Sequence, residues 1–493
     1  MRLKIRSLNI SSGKPIAFIH EDYAKKLNIS TGDRIIISKN GKKVTAVVDL
    51  AKGIIHKGEI ALSKEINLLL GNNLEDYVDI SIASSAEGSK ILQEKLSCKE
   101  YSQKELDAIL SDIVNNRLSE AEIAYFISGV NHCGMSENET LMMTNAIVKT
   151  GQRIKWTYKI VADKHSIGGI PANRTTPLVV SICTAAGIIM PKTSSRAITS
   201  ASGTADTIEA ISPVNLSIKK LKEVVKKTNG CLAWGGSLGL APADDKLIRV
   251  EKILRIDPEP QLLASILAKK VAVGSTHVLI DIPYGYGAKV SKSRAEHLKK
   301  MFESLGKKLK LKVLAVITEG FEPIGNGIGP NLEIKDILKV LKQDNSPKDL
   351  EYKAIYLAGL ILEMVGKCKK GMGQLKAREI LYSGQAYKKF CEIIAAQGGD
   401  VKAWLSEAKY HNTIISKNFG KIIKIENQQL NYLARILGCP NDKSAGIYLY
   451  KHVGDKVSSG ESLVTLYSES KEKLKDGIKF FKNNKPLTLS KGD

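Results

Sequence analysis

Two stretches of the chain concentrate the residue types that hold oxyanions. The first, "DKHSIGGIPANRTTPL" at 163–178, sets Lys164, Ser166, Gly168, Gly169, Thr175 and Thr176 ahead of an apolar run. It lacks the GxxxxGK[ST] pattern of a nucleoside triphosphate loop. Backbone N–H groups, hydroxyl donors, one ammonium and the positive end of a helix that Pro177 could help start would together hold a dianion. An ordinary strand-to-helix turn, capped by hydroxyls and bent by glycines, accounts for this stretch equally well. The second, "KTSSRAITSASGTADTIEA" at 192–210, carries Thr193, Ser194, Ser195, Arg196, Thr199, Ser200, Ser202 and Thr204. That density of donors exceeds what capping needs, with a polar surface loop as the plain alternative. Two such loops suit two phosphates, or one phosphate and a sugar.

The elements around them point to a multidomain α/β chain. Residues 1–84 read as short β-rich runs with turn punctuation, Asn40-Gly41 marking a hairpin, and predict a small N-terminal β-barrel. Residues 85–158 turn helical: Ser102/Glu105, Ser119/Glu122 and Ser136/Glu139 are capping-box pairs that mark helix starts, and residues 242–272 are expected to join this lobe. Over 159–420, β-branched runs repeatedly precede a Gly- or Ser-rich loop and a helix, which predicts a large lobe with a mainly parallel sheet and functional loops at the strand ends. Residues 421–493 return to strands and turns and predict a C-terminal α+β domain.

Composition narrows the partners. The chain has 493 residues, 74 Lys+Arg against 51 Asp+Glu, and a net charge of +23, a field that draws anions of any size. Only 5% of residues are aromatic and no basic stretch is interleaved with stacking residues, so a small anionic ligand fits better than nucleic acid. The seven cysteines are scattered, with no CxxC pair and no HExxH, which indicates neither a zinc site nor a disulfide framework and makes the cytoplasm the expected compartment. No segment reads as a signal peptide or a membrane span. Neither metal nor cofactor is expected.

"DKHSIGGIPANRTTPLVV", "PKTSSRAITSASGTADTIEA" and "RIDPEPQLLASILAKKVAVGSTHVLIDIPYGYGAKV" are similar to the thymidine phosphorylase superfamily, and most closely to its AMP phosphorylase branch. The resemblance runs from about residue 85 onward, and the N-terminal barrel also fits that branch. It implies cleavage of an N-glycosidic bond by inorganic phosphate as co-substrate, from AMP and with CMP and UMP as further candidates, to a free base and ribose 1,5-bisphosphate. The runner-up is a nucleoside phosphorylase that ignores the 5′-phosphate. By position, the resemblance implies phosphate binding at Lys164, Ser166, Ser194 and Thr204, with a further hydroxyl at Thr175. It implies AMP binding at Gly169, at Ser195, Arg196, Ala197, Ile198, Thr199 and Ser200, at Thr204, and at Ser265 and Lys289. Lys269 falls where nucleoside enzymes contact the base.

Asp257 matches the proton-donor position of the branch, and His165 is the second candidate. Read from the residues alone, Asp257-Pro258-Glu259 is a helix N-cap with proline at the first helical position. On the helix that follows, Asp257, Gln261, Ser265 and Lys269 form a polar stripe at i, i+4, i+8 and i+12. To act as an acid Asp257 would need an elevated pKa, or to act only as the proton moves. The resemblance also implies at least a homodimer, with larger assemblies through the barrel, and a cleft that closes between the helical and α/β lobes. Two departures stand out: Ala172 and Arg174, where the branch has Gly and Lys, and Tyr284 with Tyr286 in "PYGYGAK". Ala172 would be strained by roughly 1 kcal/mol if its φ is positive.

Overall fold

The computed structural model describes residues 1–71, 76–84, 86–197, 200–403 and 405–490. These divide into two compact units, residues 1–151 with 241–265, and residues 152–240 with 266–493.

The first unit opens with a closed six-stranded barrel: β1 (Arg2–Arg6), β2 (Ile16–Ile19), β3 (Arg34–Lys39), β4 (Lys42–Leu50), β5 (Glu59–Leu62) and β6 (Tyr77–Ile82), in the order β1-β5-β2-β4-β3-β6. Alternate residues of each strand, among them Leu3, Ile5, Ile35, Ile37, Ala46 and Val48, fill its interior. Asn40 and Gly41 join β3 to β4 with φ of 48° and 77°, the left-handed pair that a two-residue hairpin requires. The helical part follows. Helices Gln103–Val114, Glu120–Cys133 and Glu137–Thr150 each start on the expected capping box, with both reciprocal hydrogen bonds formed. Glu139 does more than cap: its Oε1 accepts from the buried Lys95 ammonium at 2.7 Å and from the Tyr101 N–H at 2.8 Å. Helix Pro242–Leu254 returns to this unit, and Lys246 Nζ donates to the carbonyls of Ile113 and Val114 that end helix Gln103–Val114.

One sequence expectation fails here. Cys98 and Cys133 form a disulfide, with Cα atoms 5.3 Å apart and a sequence separation of 35. Helix packing brings Cys133, the last residue of its helix, beside the loop after Leu96, and no spacing rule for short cysteine motifs reports such a pairing.

The second unit is built on parallel strands. β7 (Ala162–Ser166) pairs with β10 (His277–Tyr284), which pairs with β11 (Lys312–Glu319); β8 (Met190–Ser194) pairs with β9 (Gly230–Trp234). A bridge between Val161 and Ile189 links the two sets, giving the continuous order β11-β10-β7-β8-β9. In that order the winding reverses between β7 and β10, the place where open parallel sheets bind ligands beyond the carboxyl ends of their strands. Helix Thr175–Ala185, buried from Thr175 to Thr184, carries the chain from β7 to β8, and helix Lys292–Lys308 carries it from β10 to β11. The C-terminal part pairs Tyr410–Ile415, Ser462–Ser468, Gly446–Leu449 and Gly327–Ile328 in an antiparallel sheet. Helix Asn427–Leu437 contributes Leu430, Leu433 and Leu437 to the core beneath it. No described helix is long and apolar enough to cross a membrane.

Candidate functional site

Both expected anion loops open at the carboxyl ends of neighbouring strands, the first after β7 and the second after β8. Gly168 and Gly169 turn the first loop with φ of 89° and 94°. A Cβ on Gly169 would stand 3.1 Å from the Lys289 nitrogen in the loop after β10, so glycine is what lets these two strand-end loops touch at the switch point. Ala172 has a φ of 55°, so the strain expected of alanine there is present.

Beneath the first loop lies Lys164, fully buried, its Nζ donating to Thr175 Oγ1 at 2.9 Å and to Thr176 Oγ1 at 3.4 Å. Burial pushes its pKa down to about 8 against the pull of Asp281. Ser166 Oγ and Ser194 Oγ, at the ends of β7 and β8, are both shut off from solvent and have no hydrogen-bond partner. Each such hydroxyl costs about 1–3 kcal/mol unless something binds it. Two of them lie at the ends of adjacent strands, and Lys164 is buried on the first of those strands.

The second loop is held mainly by its own charges. Asp206 Oδ2 accepts from the N–H groups of Ala197 at 2.7 Å and Gly203 at 2.9 Å. Gly203 itself admits no side chain, since a Cβ would fall 2.6 Å from the Ser195 oxygen. Arg196 pairs with Glu209 through both terminal nitrogens and with Asp206 through one, and its guanidinium lies 4.8 Å from the Trp234 ring. The Arg196 hydrogen bond holds Glu209 at a pKa of about 2. Ser200 Oγ donates to the Ser202 carbonyl at 2.6 Å. The side chain of Arg196 and the Ala197 N–H, both expected as ligands, are thus engaged in shaping the loop. Ser195 and Thr204 flank it, while Ile198 and Thr199 lie outside the described residues.

Arg174 joins the two loops from beneath. Its Nε donates to Glu333 Oε2 at 2.7 Å, and its Nη2 reaches the Ser202 carbonyl; Thr207 Oγ1 donates to the same Glu333 oxygen at 2.5 Å. The charge that stands where the branch has lysine is therefore internal. Glu333 escaped sequence reading because it is 159 residues from its partner and sits in no motif.

His165, half-buried, is held well below the usual histidine range by burial and by Lys270, Lys192, Lys269 and Lys164 around it. It is a neutral imidazole at neutral pH and carries no imidazolium proton to give. Under it Asp163 takes Lys270 at 2.7 Å and Lys192 at 3.2 Å, all three buried. Burial works to raise the Asp163 pKa, but the two lysines hold it below the usual carboxylate range; burial pushes Lys270 down to about 7.

The polar stripe resolves differently from its sequence reading. Helix Glu259–Ala272 makes its first helical bond from the Leu262 N–H to the Pro258 carbonyl, so Pro258 occupies the N-cap position expected for Asp257. Asp257 is exposed. Gln261 is buried, and Ser265 Oγ donates to the buried Asp244 at 2.8 Å. Lys269 and Lys289 are each partly exposed. Of the two tyrosine departures, Tyr284 stacks edge-on against Phe321 and Tyr286 lies under the Lys424 ammonium at 3.5 Å.

Comparison with known proteins gives the family of the chain. Residues 89–151 match the helical bundle domain of the glycosyl transferase family, 158–387 its a/b domain, and 421–487 the pyrimidine nucleoside phosphorylase C-terminal domain. The chain is 41% identical to an AMP phosphorylase of Pyrococcus furiosus and 39% identical to AMP phosphorylase 1 of Archaeoglobus fulgidus, each over 99% of this chain and 98% of the relative. It is also 39% identical, over 96% of its length and 92% of the relative, to a Legionella pneumophila protein provisionally named thymidine phosphorylase. Among solved structures, anthranilate phosphoribosyltransferase of Thermus thermophilus shares the fold, with a TM-score of 0.54, 17% identity, and coverage of 62% of this chain and 99% of that one.

Proposed function

We infer the reaction from the premise that this chain belongs to the AMP phosphorylase family within the thymidine phosphorylase superfamily. It is a pentosyltransferase that cleaves AMP with inorganic phosphate to adenine and ribose 1,5-bisphosphate. The likeness to AMP phosphorylases over nearly the whole chain carries this reading. The pair of unpaired hydroxyls and the buried Lys164 support the anion-binding part of it.

A phosphate oxygen attacks C1′ as the bond from C1′ to the adenine nitrogen breaks, and the electron pair of that bond leaves with the base. Lys164, Ser166 and Ser194 hold the attacking phosphate, with Thr175 orienting the Lys164 ammonium. Thr204, the loop Ser195–Ser200 and Lys289 hold the nucleotide's own phosphate and ribose, while Ser265 and Lys269 face the base. Holding two anions and a sugar in line supplies much of the rate by positioning and electrostatics. Asp257 gives a proton to the ring of the departing base, and docking of that base covers the exposed carboxyl and supplies its desolvation. His165, kept neutral by its surroundings, serves as a hydrogen-bonding partner.

The proposed assembly is a homodimer, larger if the barrel self-associates, working in the cytoplasm without cofactor, nucleic acid or membrane. Asp257→Asn should lower phosphate-dependent adenine release by about 10²–10⁴-fold. Activity near that of the unaltered enzyme removes Asp257 from the mechanism. Comparing AMP with adenosine at equal phosphate tests the substrate, and preference for adenosine would restore the nucleoside phosphorylase alternative.

A further inference from the structure

We propose that Gln261 reads the departing base, its amide carbonyl accepting from the 6-amino group of adenine and its amide N–H donating to a ring nitrogen. The proposal rests on the phosphorolysis reading above and adds to it the residue that recognises the base.

Gln261 is 1% exposed, and neither its Oε1 nor its Nε2 has a hydrogen-bond partner. A primary amide buried with both ends unpaired is costly, and folded chains seldom keep one without a partner to come. Its place in the helix explains why the protein offers none. With Pro258 at the N-cap, Gln261 is the third helical residue, from which a glutamine ordinarily reaches back to the N-cap N–H. Proline has no N–H to give. Four residues onward on the same face, Ser265 directs its hydroxyl hydrogen to Asp244 Oδ2 at 2.8 Å, so it does not donate to the Gln261 carbonyl. Four residues before, on the same face, stands Asp257, the proposed donor to the base ring. The donor and acceptor of one amide match the adjacent amino hydrogen and ring nitrogen of adenine, the pairing by which Asn and Gln read that base in nucleic acids.

The test pairs a side-chain deletion with a ligand-group deletion. Inhibition of AMP phosphorolysis by adenine and by unsubstituted purine, which lacks the 6-amino group, is measured for the unaltered enzyme and for Gln261→Met, a substitution of similar volume. Adenine should bind at least about tenfold more tightly than purine to the unaltered enzyme, and the ratio should fall to about two or less in Gln261→Met. The KM for phosphate should stay within about twofold, and the melting temperature should hold or rise once the unpaired amide is gone. An unchanged adenine-to-purine ratio overturns the proposal, as does parallel weakening of both inhibitors and phosphate. If Gln261→Met does not fold, Gln261→Asn takes its place in the same measurement, and failure of both assigns the residue to the fold and overturns the proposal. Absence of phosphate-dependent adenine release from the unaltered enzyme overturns the phosphorolysis reading and this proposal together, an outcome distinct from the others.

Discussion

The loop after β7 and the loop after β8 are built from the same residue types, yet they are held in shape by different means. The first is shaped by two glycines and a buried lysine, and it leaves the Ser166 hydroxyl with no partner. The second is richer in donors but shaped by acids: Asp206 and Glu209 take up Arg196 and two backbone N–H groups. Among its described side chains the Ser194 hydroxyl, at the strand end, is the one shut from solvent without a partner. The lesson is that a donor already satisfied by the fold is scaffold, while a buried donor left unsatisfied is where a ligand enters the energy balance.

The sharpest way to break this contrast is Lys164→Ala. If the first loop holds the attacking phosphate, kcat/KM for phosphate should drop by about 10²–10³-fold or more, since a charged donor aimed at the reacting anion is lost. A drop of less than tenfold would place the phosphate elsewhere. For the second loop, Arg196→Ala and Glu209→Gln should each cost about 10- to 100-fold, because either change releases the same clamp. Were Arg196 itself the phosphate ligand, Glu209→Gln would free its charge and leave activity intact or raise it.

A pH profile refines the role of Lys164. Its pKa in the folded protein is lowered to about 8, so the ammonium is lost as pH rises through that value. The kcat/KM for phosphate, which reports the free enzyme, should therefore fall about tenfold per unit on the alkaline side of pH 8. A bound dianion stabilises the ammonium, so kcat should begin to fall only at higher pH. A flat kcat/KM profile up to pH 10 would remove the ammonium from phosphate capture. The smallest effect is expected of Ala172→Gly. Relief of a left-handed alanine, about 1–2 kcal/mol, outweighs the added freedom of glycine in the unfolded chain, about 0.4–1 kcal/mol. Denaturant unfolding should show a gain of less than about 1 kcal/mol, with activity unchanged.

Much of the fold was legible because its signals are short-range. A capping box needs residues three apart, and all three boxes formed; Asn40-Gly41 needs only its own two residues to make a turn. The expectation of strain at Ala172 was a statement about one residue's backbone and was met. The reading faltered at Asp257, where Pro258 took the cap one residue later, and at Cys98 and Cys133, which meet through helix packing. Nor did it foresee that Asp206 and Glu209 pair with Arg196, because a motif shows which groups are present and not which partners packing brings to them.

By itself the sequence determined the elements, the two donor-rich loops and the positive charge that suits them to anions, since propensity, turn chemistry and composition act within a few residues. Tertiary structure alone decided which donors remain unpaired: Glu333 reaching Arg174, Asp244 taking the Ser265 hydrogen, and the switch point bringing Gly169 against Lys289. Hydrogen-bond satisfaction depends on partners distant in the chain, and only packing brings those partners within reach.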